Sequence, residues 1–195
     1  MTLEEIQLAK VDIEGTEDLL ERALKLSGLL TTLFQEHGFP LVVVGGSAVE
    51  FYTEGGYMSG DIDFCRRSLK AIPPRLASDV MKSLGAESLG RNWMVCGLFV
   101  DMLGLIDNES HIAYRDLETP YGVVHILPPE LALVERILFA ESSSECVLSA
   151  RQMMVAALGD SSFDWKEAER LADLADFKVL PELLRLREEL SNAVS

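Results

Sequence analysis

The stretch Asp61-Ile62-Asp63-Phe64 constrains the fold of this chain more than any other. Acid and apolar residues alternate in it. An extended strand sends alternate side chains to opposite faces, so both aspartates share one face. Upstream, Leu41-Val42-Val43-Val44 is a short β-branched run that reads as a buried strand, and Gly45-Gly46 breaks it. Ser47 to Tyr52 begins a helix. Gly55-Gly56 and Ser59-Gly60 then form a flexible loop that delivers the acid pair. A sheet whose strands are joined through a helix accommodates this order.

The remainder of the chain extends the pattern. Thr2 and Glu5 have capping-box spacing, which predicts a first short helix. Thr16-Glu17-Asp18 predicts a second, with a hydroxyl cap and acids at the positive end of the dipole. Leu19, Ala23, Leu26, Leu30 and Leu33 continue it at helical spacing until Gly38 and Pro40. Pro73-Pro74 opens a helix through Leu84, and strands are expected over Asn92–Val95, Leu98–Leu103 and Gly122–Leu127. After Pro128-Pro129 the character turns helical. The stripes are Leu131, Val134 and Leu138; Val147, Met154 and Leu158; and Trp165, Ala168, Ala172 and Ala175. Pro181 starts a last helix carrying Leu183, Leu186 and Leu190. The expectation is an α/β core over residues 1–127 and a helical region over 128–195.

With 195 residues the chain suits one domain, or a compact core with a helical appendage. Its hydrophobic share of 48% can fill a core. The net charge of −15 repels polyanions at a distance, so any nucleic-acid partner needs a local basic patch or bridging metal ions. Cys65, Cys96 and Cys146 are scattered and odd in number, which indicates neither a disulfide framework nor a zinc site. His37, His111 and His125 lack metal-ligand spacing. The acidic N-terminus leads into no apolar segment of signal-peptide type, and no apolar run is long enough for a bilayer. A cytoplasmic protein without a membrane partner is expected.

Chemistry concentrates between Val42 and Asp101. Gly45-Gly46-Ser47 sits at a strand-to-helix junction, where backbone N–H groups and the helix dipole attract phosphate. Glycine lets backbone approach an anion closely, and a serine hydroxyl can donate to a phosphate oxygen. The same serine also suits a helix cap, with Glu50 three residues on completing a capping box. Asp61 and Asp63 supply the hard oxygen donors that Mg²⁺ or Mn²⁺ prefers, and Val100-Asp101-Met102 places a third acid on a later strand. Arg66, Arg67 and Arg91 could reach phosphate, but exposed arginines after a strand are more often solvated. For Trp93 and Tyr52, core packing outweighs base stacking.

The combination Val44-Gly45-Gly46-Ser47 and Asp61-Ile62-Asp63 resembles the signature of DNA polymerase β-type nucleotidyltransferases. More narrowly, Gly45-Gly46-Ser47-Ala48-Val49-Glu50-Phe51-Tyr52, Ser59-Gly60-Asp61-Ile62-Asp63 and Pro128-Pro129-Glu130-Leu131 are similar to small prokaryotic nucleotidyltransferase-like proteins related to abortive-infection toxins. The resemblance implies a short mixed sheet with flanking helices. It also implies Asp61, Asp63 and Asp101 as catalytic metal ligands, Gly45, Gly46 and Ser47 at the nucleotide, and Arg136 as the basic residue after the Pro-Glu element. Two ions about 4 Å apart would then stabilise the attacking hydroxyl and the leaving pyrophosphate as an NMP passes from an NTP to a hydroxyl acceptor. One aspartate, such as Asp101, could take the acceptor's proton. RNA, protein and small molecules all fit as acceptor. The second reading is a non-catalytic nucleotide-binding or interaction module, such as one partner of a toxin–antitoxin pair. No Walker A motif supports another phosphotransferase.

Overall fold

A computed structural model describes residues 1–90, 92–106 and 113–194; Arg91 and His111 lie outside the described residues. The chain divides into two compact units, one formed by Met1–Ser47 and Ser59–Ile126, the other by Ala48–Met58 and Leu127–Ser195.

The first unit is a mixed sheet with helices. Its strands are β1 (Leu41–Val43), β2 (Asp61–Arg66), β3 (Glu87–Leu89), β4 (Asn92–Val95), β5 (Leu98–Leu105), β6 (Arg115–Thr119) and β7 (Gly122–Ile126). They lie in the order β3-β4-β5-β2-β1-β7-β6, with β2 parallel to β5, β1 parallel to β7, and the other neighbours antiparallel. The sequence pattern does not disclose β3 and β6, and these are the two edges. Their residues are almost all exposed, and Arg115-Asp116-Leu117-Glu118 carries the charges that keep an edge from pairing with another chain. With nearly every residue exposed, neither strand has an apolar alternation to read.

Helix α1 (Leu3–Gly15) starts on the expected capping box of Thr2 and Glu5. Helix α2 (Leu19–Glu36) departs from expectation in its cap, because Asp18 and not Thr16 accepts from the Glu21 N–H. Thr16 faces back, donating its hydroxyl to Asp12 O, while its N–H bonds Ile13 O at the end of α1. Leu26, Leu29, Leu30, Leu33 and Phe34 of α2 are buried with Leu41, Val42 and Val43 of β1 and Val124 and Ile126 of β7. Full burial of one such side chain stabilises by about 1.5–3 kcal/mol. The helix lies very close to the sheet: a Cβ at Gly28 would sit 3.1 Å from the Gly122 carbonyl oxygen. Helix α4 (Pro74–Ser83) starts at its proline pair and buries Val80 and Met81.

The β4–β5 hairpin turns through Cys96 and Gly97, both at positive φ, 51° and 75°. Burial first, and then the Glu14 carboxylate, push the Cys96 thiol up to about 11. A folded-state pKa above the unfolded one means that the neutral thiol contributes stability below the ordinary thiol range, and this contribution is lost as pH rises through about 11. At pH 8 a thiol raised this far holds about 100-fold less thiolate than an ordinary one. Iodoacetamide should therefore modify Cys96 at least about 100-fold more slowly in the folded protein than in the urea-unfolded chain. Peptide-resolved mass spectrometry measures both rates, and equal rates would refute the assignment.

The second unit is helical. Helices α5 (Pro129–Phe139), α6 (Ser144–Gly159), α7 (Trp165–Ala172) and α8 (Leu180–Val194) surround a core that includes Leu133, Met153, Met154, Ala168, Ala172 and Leu183. The segment 48–58 joins it: Val49 and Tyr57 belong to that core, and the Tyr52 hydroxyl donates to Leu127 O. Two expected stripes shift. Val147 is 43% exposed, and Ala150, Met153 and Ala157 form the inward face of α6 instead. Helix α7 stops at Ala172, leaving Ala175 exposed beyond it. Among the described residues, no helix is long and apolar enough to cross a membrane.

Candidate active site

Strand alternation does at β2 what the sequence predicts. Ile62 and Phe64 are buried on one face at 3% and 0% exposure, and Asp61 and Asp63 take the other at intermediate exposure. The parallel partner β5 sets Asp63 opposite Asp101, and Asp61 opposite Phe99. Directly paired residues of neighbouring strands point to the same face, so Asp61, Asp63, Phe99 and Asp101 share one side, with backbones about 5 Å apart. Sequence reasoning alone does not single out Phe99; its spacing of two from Asp101 on one strand is the signal that could have found it. The register shifts only after the acids, between Phe64 and Cys65. Asp101 is 3% exposed.

The Gly-Gly-Ser turn closes onto the middle acid. Helix α3 (Gly45–Tyr52) follows β1 directly, and Gly45 adopts φ +67°. A Cβ built there would overlap Asp63 Oδ2 and lie 3.2 Å from its carboxyl carbon. Glycine is required by both the backbone angle and the approach. The Ser47 side chain bridges the two strands. It donates to Val44 O at 2.9 Å and accepts from the Asp63 N–H at 3.0 Å, and the residue is 1% exposed. Val44 N–H in turn donates to Asp63 O at 3.0 Å.

Other candidates fall elsewhere. Arg66 ends β2, where it pairs with Leu41, and Arg67 follows it, away from the acids. Arg66 donates to Ser68 O, and the Arg67 guanidinium lies 4.2 Å from the Tyr114 ring centre. His125 pairs with Asp116 across β7 and β6 at 2.6 Å. In the helical unit Glu130 is buried and accepts from the Asp164 N–H, which ties the start of α7 to α5. Arg136 lies 3.8 Å from the Cys146 sulfur. Tyr57 donates to Glu145 at 2.6 Å, and burial, reinforced by that carboxylate, raises its pKa strongly.

The crystal structure of an antigenic nucleotidyltransferase-like protein from Paracoccidioides brasiliensis superposes on this chain with a TM-score of 0.57, over 91% of this chain and 93% of that one, at 15% identity. The chain has a nucleotidyltransferase-like fold. Two structures of the antibiotic-resistance factor ANT(2″)-Ia align less well. The solution structure gives a TM-score of 0.46 over 81% of this chain and 92% of that one, at 16% identity. The crystal structure with adenylyl-2″-tobramycin gives 0.47 over 80% and 97%, at 14% identity. No protein-family model and no curated protein matches the chain.

Within the nucleotidyltransferase-like fold, the donor set on the face of β2 and β5 that carries Asp61, Asp63 and Asp101 suits a hard divalent cation, since all three candidate groups are carboxylates. Their present rotamers are not gathered. Among the described residues no three His, Cys, Asp or Glu side chains surround one point, and Asp61 Oδ1 is directed to the Ser59 hydroxyl at 3.3 Å. Register and donor chemistry fit a metal.

Proposed function

We propose that this protein is a metal-dependent nucleotidyltransferase that moves an NMP from an NTP to a hydroxyl acceptor. The observation that carries the reading is the register of Asp63 against Asp101, with Asp61 on the same face and the glycine turn closed onto Asp63. Asp61, Asp63 and Asp101 hold Mg²⁺ or Mn²⁺. Backbone N–H groups of Gly45, Gly46 and Ser47 receive the triphosphate, because the first N–H groups of a helix have no partner within it. Bound divalent cations supply charge neutralisation at the attacking hydroxyl and the leaving pyrophosphate. A net charge of −15 repels a polyphosphate at a distance, and bound cations offset that locally.

The acceptor oxygen forms a bond to the α-phosphorus as the bond to the bridging oxygen breaks, and pyrophosphate leaves. Asp101, buried beside Asp63 in the register, takes the acceptor's proton. RNA, a protein or a small hydroxyl compound is the acceptor, and the cytoplasm is where the NTP is met. Kinship with abortive-infection toxins rests on Pro128-Pro129-Glu130-Leu131 and Arg136.

Incubation with each NTP labelled at the α-phosphate, Mg²⁺ and a cell extract tests the proposal. Label is expected on one acceptor class, dependent on the divalent ion and absent when only the γ-phosphate is labelled. No transfer from any of the four NTPs by folded protein would overturn it.

A further inference from the structure

Resting on that reading, we infer that Ser47 is a positioning residue for Asp63 and that its hydroxyl does not bind phosphate. A hydroxyl has one hydrogen to give. That of Ser47 goes to Val44 O at 2.9 Å, and its oxygen accepts the Asp63 N–H at 3.0 Å. The hydroxyl therefore bridges the end of β1 to the middle of β2. The Asp63 carbonyl is held from the same side by Val44 N–H at 3.0 Å. Both main-chain polar groups of Asp63 are thus tied to the stretch Val44–Ser47.

The carboxylate is confined by the same turn. Gly45, at φ +67°, comes so close that a methyl group there would overlap Asp63 Oδ2. Three residues of one turn thus set the height of the Asp63 backbone and the space for its side chain. With the residue 1% exposed, moving the hydroxyl toward a triphosphate would break both of its hydrogen bonds, to Val44 O and from the Asp63 N–H. A buried polar group left unsatisfied is costly, which holds the hydroxyl in the bridge. Backbone N–H groups of the turn remain the phosphate donors in the reading above, and the side chain serves the metal-binding acid.

The two roles separate in their effect on metal and nucleotide. Mn²⁺ binding to the nucleotide-free protein, followed by electron paramagnetic resonance, is compared for wild type, Ser47→Ala and Ser47→Thr. Removal of a group that orients a metal ligand typically weakens metal affinity about 10- to 100-fold. Ser47→Ala is expected to show a loss of that size, with KM for NTP at saturating Mn²⁺ changed less than about threefold, and Ser47→Thr to restore affinity. Amide hydrogen exchange at Asp63 should speed up in Ser47→Ala and not in Ser47→Thr. If the alanine variant does not fold, Ser47→Cys is read in its place, since a thiol of similar shape is a weak hydrogen-bonding group.

A raised KM for NTP with unchanged Mn²⁺ affinity would overturn the inference and make Ser47 a phosphate ligand. Unchanged values throughout would overturn it as well. A wild-type protein that neither binds Mn²⁺ nor turns over NTP would instead bring down the nucleotidyltransferase reading. In that case Asp63 amide exchange still reports whether Ser47 holds the strand.

Discussion

Replacing Asp63 by asparagine is expected to lower nucleotidyl transfer by at least about 100-fold, because losing a metal ligand costs no less than losing a group that merely orients one. The substitution keeps the side chain's size and removes its charge. It leaves the backbone bonds of Asp63 to Val44 and Ser47 in place, so the fold should survive with an unchanged melting temperature. Asp101→Asn should fall to a similar level through its register position opposite Asp63. Asp79→Asn, on the exposed side of α4, is the control and should keep full activity. Transfer is measured with α-labelled NTP over a range of Mg²⁺ concentrations. An Asp63→Asn protein with wild-type transfer would remove this acid from the mechanism and, with it, the case for a metal held on this face.

The largest effect on stability is expected at Gly122→Ala. Gly122 has φ +139°, and a Cβ there would overlap Thr32 Oγ1 and lie 3.1 Å from Gly28 O. Thr32 cannot swing aside without losing its hydrogen bond to Tyr121 O at 2.8 Å. Backbone strain of about 1–3 kcal/mol adds to overpacking of about 1–3 kcal/mol, so a loss near 3 kcal/mol and a melting temperature about 10 °C lower are expected. Gly28→Ala should also destabilise, since its Cβ meets Thr119, whose hydroxyl donates to Gly122 O at 2.7 Å. Gly15→Ala, with nothing within 4 Å, should be neutral or slightly stabilising. Thermal unfolding followed by circular dichroism checks all three, and a Gly122→Ala protein as stable as wild type would show that the helix does not approach the sheet this closely.

Local alternation and the turn residues were enough to place the paired acids on one face, because a strand has a period of two whatever it packs against. The glycine pair after a β-branched run likewise marked the strand-to-helix junction, and the proline pairs marked the starts of α4 and α5. Hydrophobic spacing placed α2, whose inward residues are spaced by its own pitch. The sequence could not show β3 and β6, since edge strands with exposed faces have no apolar pattern to disclose. Nor could it show that Asp101 stands opposite Asp63 and not one residue away, because register is decided by pairing between strands far apart in the chain. The direction of the Ser47 hydroxyl was equally hidden. A serine after two glycines suits a helix cap, a phosphate contact or a bridge, and the choice fell to the bridge because β2 brings the Asp63 N–H within 3.0 Å. The segment 48–58 follows the same logic: its Val49 and Tyr57 are apolar enough for either core, and it is tertiary packing that buries them with the C-terminal helices.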